Sequence, residues 1–283
     1  MKEIRIGAAA WGFRELTLPQ QLDLVRRLGL VSLELGIANT PADVQTDADV
    51  RLLEQVKKEY EAFGISLDTA ATGNDFTLED GNAAAEDIGK LKRVIDICSF
   101  LGVETLRIFA GFTPYREVDE TRFSRMIDAL NTVARYGKEH GVVTAMETHG
   151  GVTAYPDGVV HFHSAATETG CLKRILRETD DSLKFVYDPA NLYAIAGCDV
   201  EETAELVGSR IAYAHIKDFV KLPGGHLKPG AIGDEKRDWK RTIETILKWT
   251  DTLMIEYEEP QDIEEGTRRS KQYLETILKE VWL

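Results

Sequence analysis

Residues 183–219 read LKFVYDPANLYAIAGCDVEETAELVGSRIAYAHIKDF, and the alternation inside this stretch decides the fold. Two short runs, 183–189 and 211–219, are apolar at most positions. Strands of that kind belong to parallel sheets covered on both faces. Between them, 200–208 has a helical pattern that stops at Gly208. Parallel neighbours need a crossover, usually a helix, so strand, helix and strand make one βαβ unit. The first run ends Tyr187-Asp188-Pro189-Ala190-Asn191, and the second ends His215-Ile216-Lys217-Asp218. Both strands therefore finish in polar residues at the same end.

The unit recurs outward in both directions. Further strand-like runs occupy 4–10, 31–37, 65–72, 105–111, 142–149 and 252–258, which makes eight in all. Helical patterns occupy 18–28, 50–63, 79–101, 119–140, 159–178, 238–250 and 263–281. Gly64, Gly102 and Gly141 stand just past three of them, where a left-handed cap ends a helix. Eight strand–helix units in series predict an α/β fold, a (β/α)8 TIM barrel, as a single domain over residues 1–283. A doubly wound sheet would be expected to carry a glycine-rich phosphate turn after its first strand, and residues 7–12 read GAAAWG instead.

The composition agrees with a soluble globular protein and argues against several classes. The net charge is −14 over 283 residues, which argues against a nucleic-acid partner because a phosphate backbone calls for a basic footprint. Cys98, Cys171 and Cys198 are far apart and form no CxxC pair, so neither a disulfide framework nor a zinc–thiolate site is indicated, and a reducing cytoplasm fits. The opening MKEIRIGAAAWGF has no long apolar region, and no membrane partner is expected.

Active sites of such barrels sit at the C-terminal strand ends. Four late strands end in chemistry, at Glu147, Asp188, His215 and Glu256, separated by 41, 27 and 41 residues. Each interval fits one crossover, so the four side chains converge on one mouth. Three carboxylates crowded there cannot all ionise without a cation. One divalent metal ion resolves the conflict. The donor set, oxygen with one imidazole, favours Mn2+ or Mg2+, admits Co2+ and disfavours Zn2+.

With Met146-Glu147-Thr148-His149, Tyr187-Asp188-Pro189-Ala190-Asn191, His215-Ile216-Lys217-Asp218, Ile255-Glu256-Tyr257-Glu258 and the loop Pro229-Gly230-Ala231-Ile232-Gly233-Asp234, the chain resembles the xylose isomerase-like barrel family along nearly its whole length. That family holds ketose 3-epimerases, hydroxypyruvate isomerases, and inosose isomerases and dehydratases. The resemblance implies a metal-dependent isomerase or epimerase of a small sugar or polyol ketone, working through an enediolate. It places the metal on Glu147, Asp188, His215 and Glu256, makes Glu147 and Glu256 the acid–base pair, and implies a homo-dimer or tetramer. Many members carry a histidine where this chain has Asn191, which can hydrogen-bond a hydroxyl but cannot carry a proton at neutral pH.

Substrate-binding candidates follow from strand parity. His149 and Lys217 lie two residues beyond Glu147 and His215 and share their direction. Trp11 directly follows the first strand and could stack on a sugar face. Arg107 sits on an apolar strand, where a buried charge needs a partner, either Glu34 on the second strand or an anionic group of the substrate. The structural pair with Glu34 is the favoured reading. His161 and His163 fall near the start of the helix read at 159–178.

Other functions are weighed against this one. A dehydratase acting on an inosose or dehydroshikimate would use the same metal and base. An abasic-site endonuclease shares the barrel, but six histidines and the acidic charge speak against it. A non-catalytic sugar-binding barrel would ordinarily have lost part of the ligand set, which is complete here.

Overall fold

The computed structural model describes residues 3–281. Eight parallel strands curl into a barrel: β1 (Arg5–Ala8), β2 (Leu35–Gly36), β3 (Thr69–Ala71), β4 (Thr105–Ile108), β5 (Val143–Glu147), β8 (Lys184–Tyr187), β9 (Ile211–Ile216) and β12 (Thr252–Ile255). They pair in that order, and β12 pairs with β1. Closure between β1 and β2 comes from Ala8 N donating to Ser32 O and Glu34 N donating to Ala8 O, both at 2.9 Å. Register is direct at the site: Glu147 lies opposite Val186, and Met254 opposite His215. Among the described residues no helix is long and apolar enough to cross a membrane.

Helices follow seven of the eight strand-like runs where the periodicity places them. Val50–Phe63 and Ile263–Val281 keep the bounds read from sequence, and Gly64 and Gly102 end two helices with φ of 68° and 80°, a region that a β-carbon disfavours. Helix Glu120–Glu139 starts on the side chain of Asp119, which accepts from Arg122 N at 2.9 Å.

Two kinds of buried surface divide the strands. Met146, Phe185, Tyr187, Ala214, Ile216, Leu253 and Ile255 belong to the large core that the surrounding helices share. The alternating residues Ala145, Val186, Tyr213 and Met254, with Ala9, form a separate buried cluster that fills the barrel itself.

The helix read at 159–178 is wrong in its first half. Residues before Thr169 form a hairpin, β6 (Gly151–Tyr155) and β7 (Gly158–Phe162), and only Thr169–Glu178 is helical. Val152, Tyr155, Val159 and Val160 favour strand, and Pro156-Asp157-Gly158 is a turn signal. The run 211–219 also divides. Barrel strand β9 stops at Ile216, and after Lys217 the chain enters β10 (Asp218–Lys221), which pairs with β11 (Leu227–Gly230). The four extra strands form an antiparallel second sheet, β10–β11–β7–β6. It supplies one wall of the cavity at the barrel mouth.

Candidate metal centre

Each of Glu147, Asp188, His215 and Glu256 stands two residues beyond a barrel-filling side chain: Ala145, Val186, Tyr213 and Met254. Strand parity therefore aims all four inward, one pleat nearer the mouth. All four are buried. One carboxylate oxygen or ring nitrogen from each lies within 4.8 Å of the others. Two ligands of one ion, each ~2.3 Å from it, are at most ~4.6 Å apart. Small inward shifts would suffice to close the set.

The local structure prepares each group. Asp188 caps the short helix Pro189–Tyr193: its Oδ1 accepts from Ala190 N at 2.9 Å and Asn191 N at 3.1 Å. Thr148 Oγ1 accepts from Asp188 N at 2.8 Å. Asp188 Oδ2 is left buried without a hydrogen bond, as is His215 Nδ1. The other nitrogen of His215, Nε2, lies 3.2 Å from Glu34 Oε1, which also accepts from Tyr213 OH at 2.5 Å. Glu34 thus fixes the ring so that Nδ1 faces Glu256 at 3.5 Å and Glu147 at 3.8 Å. A carboxylate behind a histidine in this way sets its tautomer for a metal. These two atoms, His215 Nδ1 facing carboxylates and Asp188 Oδ2 met only by the Lys217 ammonium, stand in a donor set rich in oxygen that fits one divalent cation.

Cations of the chain itself compensate the acids. Lys217 Nζ lies 2.7 Å from Glu256 Oε2, 2.7 Å from Glu258 Oε1 and 3.1 Å from Asp188 Oδ2. Arg107 Nε lies 3.4 Å from Glu147 Oε2, and its Nη1 donates to Thr72 O at 3.0 Å. Burial would raise the Glu147 carboxyl, but the His215 ring beside it, with Nδ1 at 3.8 Å, holds it down at about 2. Burial would likewise raise Glu256, and Lys217 and His215 keep it well below the ordinary range. Asp188 goes the other way. Burial pushes it up to about 7, Lys217 opposes the rise, and the charges of Glu147 and Glu256 add to it. Burial disfavours the His215 cation, yet Glu256 and Glu34 raise its pKa well above the usual value.

Trp11, Arg107, Glu147, His149, Asn191, Lys217 and Glu256, the seven sequence candidates that reach the surface of the site, border one cavity of about 390 Å³. Asp188 and His215 lie fully buried within the cluster. Asn191 turns its amide toward Glu147: Nδ2 donates to Glu147 Oε1 at 3.0 Å and to Thr148 O at 3.3 Å, while Oδ1 is unpartnered. His149 packs edge-on against Phe109 and Phe112, with ring centroids 5.3 and 5.4 Å away.

The Glu34–Arg107 pair is corrected. Glu34 binds His215 and Tyr213, and Arg107 takes Glu147 as its direct partner. Both charges are buried at the same mouth, and parity alone cannot say which neighbour each one meets. Asp218 holds the late loop: its carboxylate accepts from Phe219 N, Gly233 N, Arg237 Nε and Trp239 Nε1. Sequence reasoning missed the role of Tyr213, although its place two residues before His215 is a usable signal. It also missed Glu258 as a partner of Lys217, and Phe109 and Phe219 as cavity walls.

A profile of the xylose isomerase-like TIM barrel family matches residues 22–277, and the chain belongs to that family. No curated protein sequence matches it. Solved structures share the fold at low identity. D-allulose 3-epimerase from Methylomonas sp. is 14% identical with a TM-score of 0.74, over 98% of this chain and 99% of that one. The 3-keto-D-glucoside 4-epimerase YcjR from E. coli is 14% identical with a TM-score of 0.73, over 97% and 100%. An L-ribulose 3-epimerase is 16% identical with a TM-score of 0.74, over 98% and 95%.

Proposed function

We propose that this member of the family is a sugar epimerase or isomerase that moves a proton at a carbon next to a carbonyl, with Glu147 and Glu256 as the acid–base pair. The observation that carries the reading is the buried cluster of Glu147, Asp188, His215 and Glu256 beside a 390 Å³ cavity. The epimerase activities named for three structures of the same fold support the reaction class.

Glu147, Asp188 through Oδ2, His215 through Nδ1 and Glu256 would hold one divalent cation, with Mn2+ or Mg2+ suited to the oxygen-rich set. Such an ion supplies Lewis-acid stabilisation of the negative charge that builds on the carbonyl oxygen. The chain's own residues do the rest. Asn191 and Arg107 orient the two oxygens of Glu147, and its depressed pKa keeps it an anion able to accept a proton at neutral pH. Lys217 keeps Glu256 in place and adds positive charge where the enediolate forms. One glutamate takes the proton and the other returns it to the opposite face; the direction of reaction decides which acts first. Positioned acid–base groups of this kind contribute typically ~10²–10⁴-fold.

The test is a panel of ketoses, inososes and hydroxypyruvate incubated with the protein and Mn2+ or Mg2+ in D2O and followed by NMR. Incorporation of deuterium at one carbon with no loss of water is the expected result. A dehydrated product would reassign the protein to the lyases, and no exchange with any compound would sink the proposal.

A further inference from the structure

One residue of the cavity has no part in the proposed proton transfer. His161 lies on β7 in the second sheet, is only 9% exposed and borders the cavity. Its ring packs 4.7 Å from that of Phe219. Neither ring nitrogen has a hydrogen-bond partner. Burial, with Lys217 and His149 nearby, lowers its pKa to about 3, so the imidazole is neutral and offers one donor and one acceptor. Buried polar atoms are ordinarily paired, and leaving them unpaired costs stability. A phenylalanine would fill the same slot beside Phe219 without that cost. Packing therefore does not account for a histidine here.

The surroundings limit what the ring can meet. The other second-sheet residues bordering the cavity are Val152, Val159, Phe219 and Pro229, none with a polar side chain. The two cations bordering it are committed: Arg107 to Glu147 and Thr72, Lys217 to Asp188, Glu256 and Glu258. A phosphate group would enter beside these carboxylates and find no free positive charge. A neutral hydroxyl or ether oxygen would pair with the ring and leave the apolar wall to the C–H face of a sugar.

We propose, on the basis of the carbonyl-sugar reaction above, that His161 is a specificity residue whose imidazole hydrogen-bonds an uncharged oxygen of the substrate, so that the site selects unphosphorylated carbohydrates. The pairing is made by ground state and transition state alike, and its loss acts mainly on KM.

Two measurements test this. In the first, His161→Phe and His161→Gln are compared with the parent protein, metal-loaded, on the substrate the D2O panel identifies. His161→Phe is expected to melt at or above the parent temperature while kcat/KM falls about tenfold, mostly through KM, and His161→Gln recovers part of the loss. In the second, the parent protein with 15N-labelled histidine is titrated with D-fructose, D-tagatose and D-allulose and with their 6-phosphates. The His161 ring signals should move with at least one free sugar and with none of the phosphates. A ring shift without any C–H exchange leaves the inference standing and removes the proposed chemistry. Exchange with unchanged kinetics in His161→Phe, no ring shift with any sugar, or better turnover of a phosphorylated sugar overturns the inference.

Discussion

Ala145, Val186, Tyr213 and Met254 lie one pleat below Glu147, Asp188, His215 and Glu256, on the same four strands. The lower layer is wholly buried and apolar but for one hydroxyl, and it fills the barrel as a core should. The upper layer is equally buried yet holds three carboxylates and an imidazole, which meet one another, Lys217 and Arg107 and, at Glu147 and Asp188, neutral N–H donors as well. A spacing of two residues thus separates the apolar part of each strand, which fills the barrel, from the charged part, which faces the mouth. The two layers meet at Tyr213, whose hydroxyl donates to Glu34, the carboxylate behind His215.

Substitutions that separate the layers test this division. In the upper layer, Glu147→Gln or Glu256→Gln should lower the rate of C–H exchange per folded molecule in D2O by ~10²–10⁴-fold. Retained exchange in both variants would remove the two-glutamate assignment. In the lower layer, Met254→Ala should act on stability instead. It opens a cavity in a fully buried site and should cost ~2–5 kcal/mol in urea unfolding, with exchange per folded molecule retained to within a few-fold. Equal damage to stability and exchange from Met254→Ala would show that the layers are not separable.

The smallest effect is on pH. Asp188 is raised from 3.8 to about 7, and His215 is raised as well, so both hold protons that a metal must displace. A carboxyl with a raised folded-state pKa stabilises the metal-free fold below its unfolded value, and that contribution is lost as pH rises through about 7. In EDTA the unfolding midpoint should therefore drop between pH 6 and pH 8. Divalent-ion affinity, read by calorimetric titration, should rise at least about tenfold over the same interval, the displacement of the Asp188 proton alone giving that much and the raised His215 adding to it. Affinity independent of pH would mean that Asp188 is already ionised in the free protein.

The barrel and the upper layer were legible because a buried parallel strand announces itself locally. An apolar run that stops at a charged residue reports both a strand and its end, and intervals such as that from Glu147 to Asp188 match one crossover each. The partners inside the site were less legible. Arg107 could be seen to need an acid, but whether it met Glu34 or Glu147 depended on how the strands are staggered around the barrel. The second sheet was least legible. β10 and β11 pair with each other and reach β7 through Leu227 and Val159, residues distant in sequence, so no local periodicity marks the sheet. Missing the hairpin at 151–162 also hid His161, which looked like a residue at a helix start.

Lys217 is the only residue between β9, which carries His215, and β10, the first strand of the second sheet. Its backbone joins the cavity's wall to its floor, and its ammonium is anchored to three carboxylates at that junction. The wall is therefore not a flap on a slack tether. Lifting it would pull on the residue whose ammonium pairs with the carboxylates of the floor, so the position of the wall and the charge of the floor are tied together at one residue.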